Sequence, residues 1–144
     1  MDTCQILCTL RDVNSFPDVF PYDLLPSSRP VLKPCSLIFN ADPHAEGSSH
    51  WLAIRLTHRS SSAYYFDSYG TITHVFSFQT FLNHNCTTRD YNIRQLQRPT
   101  IDVCGQYCCL LALYMERSFT PPQFITLFAD RGNANRHMKQ MFAS

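Results

Sequence analysis

The chain has 144 residues, a formal net charge of +1, 44% hydrophobic and 13% aromatic residues, and only 16% charged ones. That is the size of one domain with a core to bury, and the apolar share excludes a chain disordered throughout. No run approaches the ~18 apolar residues of a membrane helix, and the opening MDTCQILCTLRD lacks the basic and apolar regions of a secretory signal. A single domain over residues 1–144, neither membrane-spanning nor secreted, is therefore expected.

Ten of the 12 cations are arginine, and the two halves differ little: residues 1–72 hold five cations and seven anions, and residues 73–144 seven and four. A dedicated nucleic-acid binder is usually far more basic, so only weak contact along Arg89, Arg94 and Arg98 fits. Seven cysteines, an odd number without a secretory signal, argue for a reducing compartment rather than a disulfide scaffold. Cys4/Cys8, His84/Cys86 and Cys104/Cys108 are close pairs, but none has the C-x2-C spacing, so no metal site is expected.

In chain order, residues 14–34 hold five of the nine prolines together with Phe16, Val19, Phe20, Leu24 and Leu25. This reads as an ordered, irregular crossing segment, since a linker lacks such apolar anchors. CSLIFN (35–40) reads as a strand, and the polar stretch after it as a loop. HWLAIRL (50–56) and AYYFD (63–67), rich in aromatic and branched residues, read as a β-hairpin. Residues 73–84 have helical spacing, and 91–96 alternate like a strand. CGQYCCLLALYME (104–116) is the most apolar helix candidate and reads as the central buried one. PPQFITLFA (121–129) opens with the prolines that suit a helix start, and residues 133–142 read as a last helix with Met138 and Phe142 on one side.

Chemistry gathers at four residues. A hairpin turn centred between His58 and Arg59 would set His50 directly opposite Asp67, within reach for the carboxylate to bond one ring nitrogen and leave the other as a base. Cys104 stands where the chain enters the central helix, whose N–H groups and dipole favour an anion, the environment of a nucleophilic thiolate. Gln97, across a proline-containing loop, could return to the same place, its amide joining the Cys104 N–H as an oxyanion hole. Each also has an ordinary structural reading: a small buried thiol, a strand-end histidine, a turn-initiating aspartate. Cys108 and Cys109, one turn on, read as buried.

Taken together, His50-Trp51, then FDSYG with its acid 17 residues after the histidine, then Gln97 seven residues before Cys104-Gly105, closely resemble the adenovirus-type cysteine proteases, the adenain family. The likeness extends over residues 14–112, including FPDVFPYDLLPSSRP. It implies an α+β, papain-like/adenain-like fold in which a helix bearing the nucleophile packs on a mixed sheet bearing the histidine and the acid. By the same resemblance Cys104 is the nucleophile, His50 the general base and acid, Asp67 its orienting group and Gln97 the oxyanion donor, with Trp51 and Gly105 at the substrate groove. The reaction would be peptide hydrolysis through an acyl-thioester, with viral precursor or capsid proteins cut after glycine-containing motifs.

Family members are stimulated by a short viral peptide disulfide-bonded to a cysteine 18 residues before the nucleophile, the position of Cys86 here, and by DNA. The resemblance therefore implies an activating peptide and weak nucleic-acid stimulation, though the near-zero charge weakens the latter. It places the protein in a virion and in the nucleus or cytoplasm of an infected cell. The chain departs from the pattern in its shortness toward the C-terminal side and in carrying Asp where adenovirus enzymes commonly have Glu. Proteases of ubiquitin-like modifiers use that Asp and belong to the same clan, so they form the alternative, alongside a catalytically inactive virion binding protein.

Overall fold

A computed structural model describes residues 1–21, 25, 32–41, 50–57, 61–71, 78–97 and 102–129. Among these residues the elements run α1 (Thr3–Thr9), β1 (Val19–Pro21), β2 (Cys35–Asn40), β3 (Trp51–Leu56), β4 (Ser62–Phe66), α2 (Gln79–Asn85), β5 (Thr88–Tyr91), α3 (Cys104–Glu116) and α4 (Pro121–Ala129). The strands form one mixed sheet in the order β1-β2-β3-β4-β5, with the two outer pairs parallel and the inner pairs antiparallel. This is the α+β architecture expected.

The central strands are apolar on both sides because both sheet faces are covered. Ile38, Trp51, Ala53, Tyr64 and Phe66 face a core built with α1, α3 and α4. Leu37, Phe39, Leu52, Ile54, Leu56 and Tyr65 face a second core with Phe78, Phe81 and Leu82 at and within α2. The two-residue period of a strand thus assigns alternate side chains to separate cores. α3 buries residues all around its circumference, from Cys104 and Tyr107 to Leu111 and Met115, as a central helix must. Phe124 of α4, fully buried, closes this layer against Phe66 and Tyr114, and burial of such a ring contributes about 2–3 kcal/mol.

Several expectations hold to within a residue, namely β2, the two hairpin strands, α3 and α4. Others are corrected. The helix expected over 73–84 is described only as Gln79–Asn85, with 72–77 outside the described residues. The strand expected at 91–96 lies earlier, at 88–91, where it extends the sheet edge beside β4. Residues 92–97 turn away because their polar groups bond a different partner: the Leu96 and Gln97 N–H groups both donate to the Ser68 carbonyl, at 2.8 and 2.9 Å. α1 was not expected, although its signal is present. Asp2 accepts from the Gln5 N–H and Gln5 reaches back to the Asp2 N–H, both at 2.8 Å, a reciprocal capping box. The helix expected at 133–142 lies outside the described residues.

The hairpin register also differs. Ile54 pairs with Tyr65 and Leu56 with Ala63, two residues away from the expected register, because the loop closes on a Thr57 N–H to Ser62 O bond of 3.0 Å with Ser61 in the left-handed region (φ 45°). Continued outward, this register sets His50 opposite Tyr69 rather than Asp67. A shift of two preserves which residues share a face, so His50 and Asp67 become diagonal neighbours instead of a direct pair.

Candidate active site

His50 immediately precedes β3, Asp67 immediately follows β4 and Cys104 opens α3, so three element ends meet at one corner of the sheet. The His50 Nε2 lies 2.9 Å from Asp67 Oδ1, which accepts its proton and leaves Nδ1 as the other ring nitrogen, and Cys104 is close enough to help hold the ring's pKa up. Cys104 is 2% exposed, and its sulfur accepts from the Trp51 N–H at 3.4 Å. It also lies 3.5 Å from Asp102 Oδ1. No side chain caps α3, so its first N–H groups point at the site uncovered by a local acceptor.

Asp67, 1% exposed, is held as a carboxylate by a full set of donors. Burial raises its pKa, but hydrogen bonds from His50, from the Thr71 hydroxyl (2.6 Å) and from the Tyr69 N–H (2.9 Å) prevail and hold it below the ordinary value. For His50 burial again opposes the charged form, yet Asp67 and Cys104 outweigh it and raise the ring from 6.5 to about 9. The imidazolium is thus the dominant form at neutral pH. Such a pair stabilises a thiolate beside it and carries the proton a leaving amine needs.

The acid is placed by groups that sequence reasoning did not single out. Asn92, 3% exposed, bonds the backbone of Asp67 on both sides, accepting from its N–H at 3.0 Å and donating to its carbonyl at 2.6 Å. Gly70 sits at φ 72°, and a Cβ there would come within 2.9 Å of the backbone at Ile93, Arg94 and Gln95. Only glycine permits both that φ and that approach. The turn carrying Asp67 is therefore clamped onto segment 92–97. The FDSYG string signals a turn, but nothing near Asn92 marks its partner.

Gln97 reaches the corner from that segment, without solvent exposure. The Ser68 hydroxyl donates to its Oε1 at 2.6 Å, and its Nε2 donates to the Tyr69 hydroxyl at 3.0 Å. The Tyr69 ring lies against the His50 ring, centroids 4.9 Å apart. Trp51 is buried, with its indole N–H donating to the Met1 carbonyl at 2.9 Å. A Cβ on Gly105 would meet Trp51 Cδ1 at 3.1 Å and Met1 Cβ at 3.0 Å, so the bare glycine lets Trp51 and Met1 pack onto α3. Trp51 and Gly105 thus adjoin the nucleophile as packing partners.

Cys86 is elsewhere: it belongs to the core on the α2 side of the sheet, is 8% exposed, and its thiol donates to the Leu82 carbonyl at 3.2 Å. To take a disulfide-linked peptide it would have to give up that bond and turn outward. Cys108 and Cys109 are fully buried, as expected, and burial holds the thiol of Cys109 at about 12. Among the described residues no three His, Cys, Asp or Glu side chains converge as a metal-binding set, and no helix is long and apolar enough to cross a membrane.

Comparison with solved structures finds similar folds. The chain resembles the crystal structure of the ASFV pS273R protease with a TM-score of 0.59 and 17% identity, over 99% of this chain and 67% of that one. The fold is shared with a protease. The chain also resembles the central domain of the uncharacterized Lpg1148 protein from Legionella pneumophila, with a TM-score of 0.54 and 16% identity, over 99% of this chain and 94% of the other. No protein-family model matches the sequence, and no curated protein matches it. At these identities the likeness is one of fold.

Proposed function

We propose that the chain is a cysteine endopeptidase in which Cys104 is the nucleophile, His50 the general base and acid, and Asp67 the group that orients and charges the imidazole. The observation that carries this reading is the convergence of Asp67, His50 and Cys104 at one corner, with the carboxylate 2.9 Å from the His50 Nε2 and the sulfur, at the uncapped start of a helix, 3.4 Å from the N–H of Trp51, the residue next to His50. The likeness of fold to a protease supports it.

The Cys104 sulfur attacks the scissile carbonyl, whose π electrons pass to oxygen. Collapse of the tetrahedral intermediate breaks the C–N bond as His50 gives its proton to the leaving amine. The neutral imidazole then takes a proton from water, whose oxygen displaces the thiolate from the acyl-thioester. Asp67, kept ionised by Thr71 and the Tyr69 N–H, holds the ring in one tautomer throughout. The amide of Gln97 serves the oxyanion side.

For substrate, the resemblance favours viral or virus-like-element precursors cut after glycine-containing motifs, in a virion or infected cell. An activating peptide at Cys86 and DNA stimulation remain part of that proposal.

The test is the pH dependence of Cys104 alkylation by iodoacetamide, mapped by peptide mass spectrometry in the wild type and in His50→Ala. Fast reaction of Cys104 below neutral pH, lost in His50→Ala, is expected. Equal, slow reaction in both proteins would overturn the nucleophile assignment. Glycine-motif peptides compared with Gly-Gly-linked modifier fusions then separate a precursor protease from one acting on ubiquitin-like modifiers.

A further inference from the structure

Gln97 is the expected oxyanion donor, yet its carboxamide has no solvent-exposed surface, and its Nε2 donates at 3.0 Å to the phenol oxygen of Tyr69. In this orientation both ends of the amide are engaged, since the Ser68 hydroxyl donates to its Oε1 at 2.6 Å. Tyr69, by contrast, is partly exposed. Its ring lies on the His50 ring at 4.9 Å, and its backbone is held by the N–H bond to Asp67 Oδ1 and by the tight Gly70 turn that follows. A phenol can accept one hydrogen bond and donate another. Having accepted from Gln97, it has its own O–H left to give.

We propose that Tyr69 is a catalytic residue of the reaction assigned above: its hydroxyl donates directly to the developing oxyanion, and Gln97 is a positioning residue that orients and polarises it from behind. The inference rests on the cysteine-protease reading. As Cys104 Sγ bonds to the carbonyl carbon, the C=O π pair moves to oxygen, and the resulting oxyanion accepts the Tyr69 O–H hydrogen bond. When the C–N bond breaks the carbonyl re-forms and the hydrogen bond weakens, so Tyr69 neither gains nor loses a proton. Burial, and the nearby Cys104, Asp102 and Asp67, hold the phenol above its ordinary pKa, which keeps it a donor at neutral pH. A chain of two aligned hydrogen bonds strengthens its terminal donor.

The experiment uses Tyr69→Phe, Gln97→Ala and the double variant in the full chain, with a fluorogenic peptide bearing glycine on the acyl side of the cleaved bond and a peptide aldehyde ending in glycinal as probes. Loss of one oxyanion donor is expected to lower kcat of Tyr69→Phe about 100-fold with KM within about twofold. The aldehyde, whose thiohemiacetal oxygen mimics the oxyanion, is expected to bind at least about tenfold more weakly. Alkylation of Cys104 by iodoacetamide, which develops no oxyanion, is expected to stay within about twofold of wild type, since the phenylalanine ring keeps the stack on His50. The double variant should be no slower than Tyr69→Phe alone, because Gln97 acts through Tyr69.

An unchanged or higher kcat in Tyr69→Phe would overturn the proposal, the higher value making the phenol a cover over Gln97 that substrate displaces. A parallel fall in alkylation would overturn it too, placing the effect on His50. Failure of the protease reading itself looks different: the wild type neither cleaves the peptide nor binds the aldehyde, and His50→Ala leaves alkylation unchanged.

Discussion

Replacing Asp67 by asparagine removes one charge while sparing the geometry. An asparagine Oδ1 can still accept from the Tyr69 N–H, and its Nδ2 can donate to the Thr71 hydroxyl, which accepts as readily as it donates. What is lost is the carboxylate that, against the cost of burial, helps hold His50 at about 9 instead of 6.5. If the ring falls back to about 6.5, the imidazolium fraction at pH 8 drops from about 0.9 to about 0.03, a loss of about 30-fold. At pH 6 the fractions are about 1.0 and 0.8, and the loss is under about twofold. The expected signature is therefore a change in shape, measured as kcat/KM on a glycine-containing fluorogenic peptide from pH 5 to 10 and normalised by active-site titration. The alkaline limb moves from near 9 toward 6.5 while activity near pH 6 is largely kept.

Stability changes with the same sign. A histidine raised by its partner stabilises the fold fully below its unfolded value near 6.5, and this contribution is lost as pH rises through about 9. The rise is worth about 3 kcal/mol at face value, and about 1–2 kcal/mol after discounting for the ring's 15% side-chain exposure. Urea denaturation of the wild type should lose that amount between pH 6 and pH 9.5, and Asp67→Asn should lose much less. A variant whose alkaline limb stays near 9, with an unchanged stability profile, would refute the assignment of Asp67 as the group that charges His50.

Asn92→Leu leaves the buried Asp67 N–H without a partner and its carbonyl with the Gly70 N–H alone, so unfolding free energy should fall by about 1–3 kcal/mol by urea titration; a change below about 0.5 kcal/mol would remove Asn92 from the scheme. Gly70→Ala forces a Cβ to 2.9 Å from three backbone atoms at φ 72° and should cost at least about 2 kcal/mol, visible as a lowered Tm, together with slower Cys104 alkylation as the turn bearing Asp67 shifts. Phe124→Ala empties a site packed by Phe66, Tyr114 and Phe128 and should cost about 3–5 kcal/mol while wild-type alkylation of Cys104 is retained at low temperature.

Much of this molecule was legible in its sequence because the signals were local. The apolar run 104–116 has one helical reading, the prolines at 121 and 122 mark the start of α4, and the aromatic and branched residues of 51–56 mark a strand that is buried on both faces. The site residues His50, Asp67 and Cys104 were legible from chemical type and spacing, and their meeting follows from where the element ends fall. The hairpin register was not legible, since the loop between Thr57 and Ser62 is polar and carries no strong turn dipeptide.

What only the tertiary structure decided are the contacts between segments distant in sequence. The Asn92 carboxamide serves the backbone 25 residues earlier, and Ser68 bonds the amide of Gln97 across 29 residues. The Trp51 N–H meets the Cys104 sulfur across 53. No propensity or period encodes such pairings, because the free energy that selects them is that of burying polar groups with partners, which exists only once the chain has closed on itself. Chemical identity was written along the chain. The charge on His50, the covering of Gln97 by a neighbouring phenol and the burial of Cys86 came from packing.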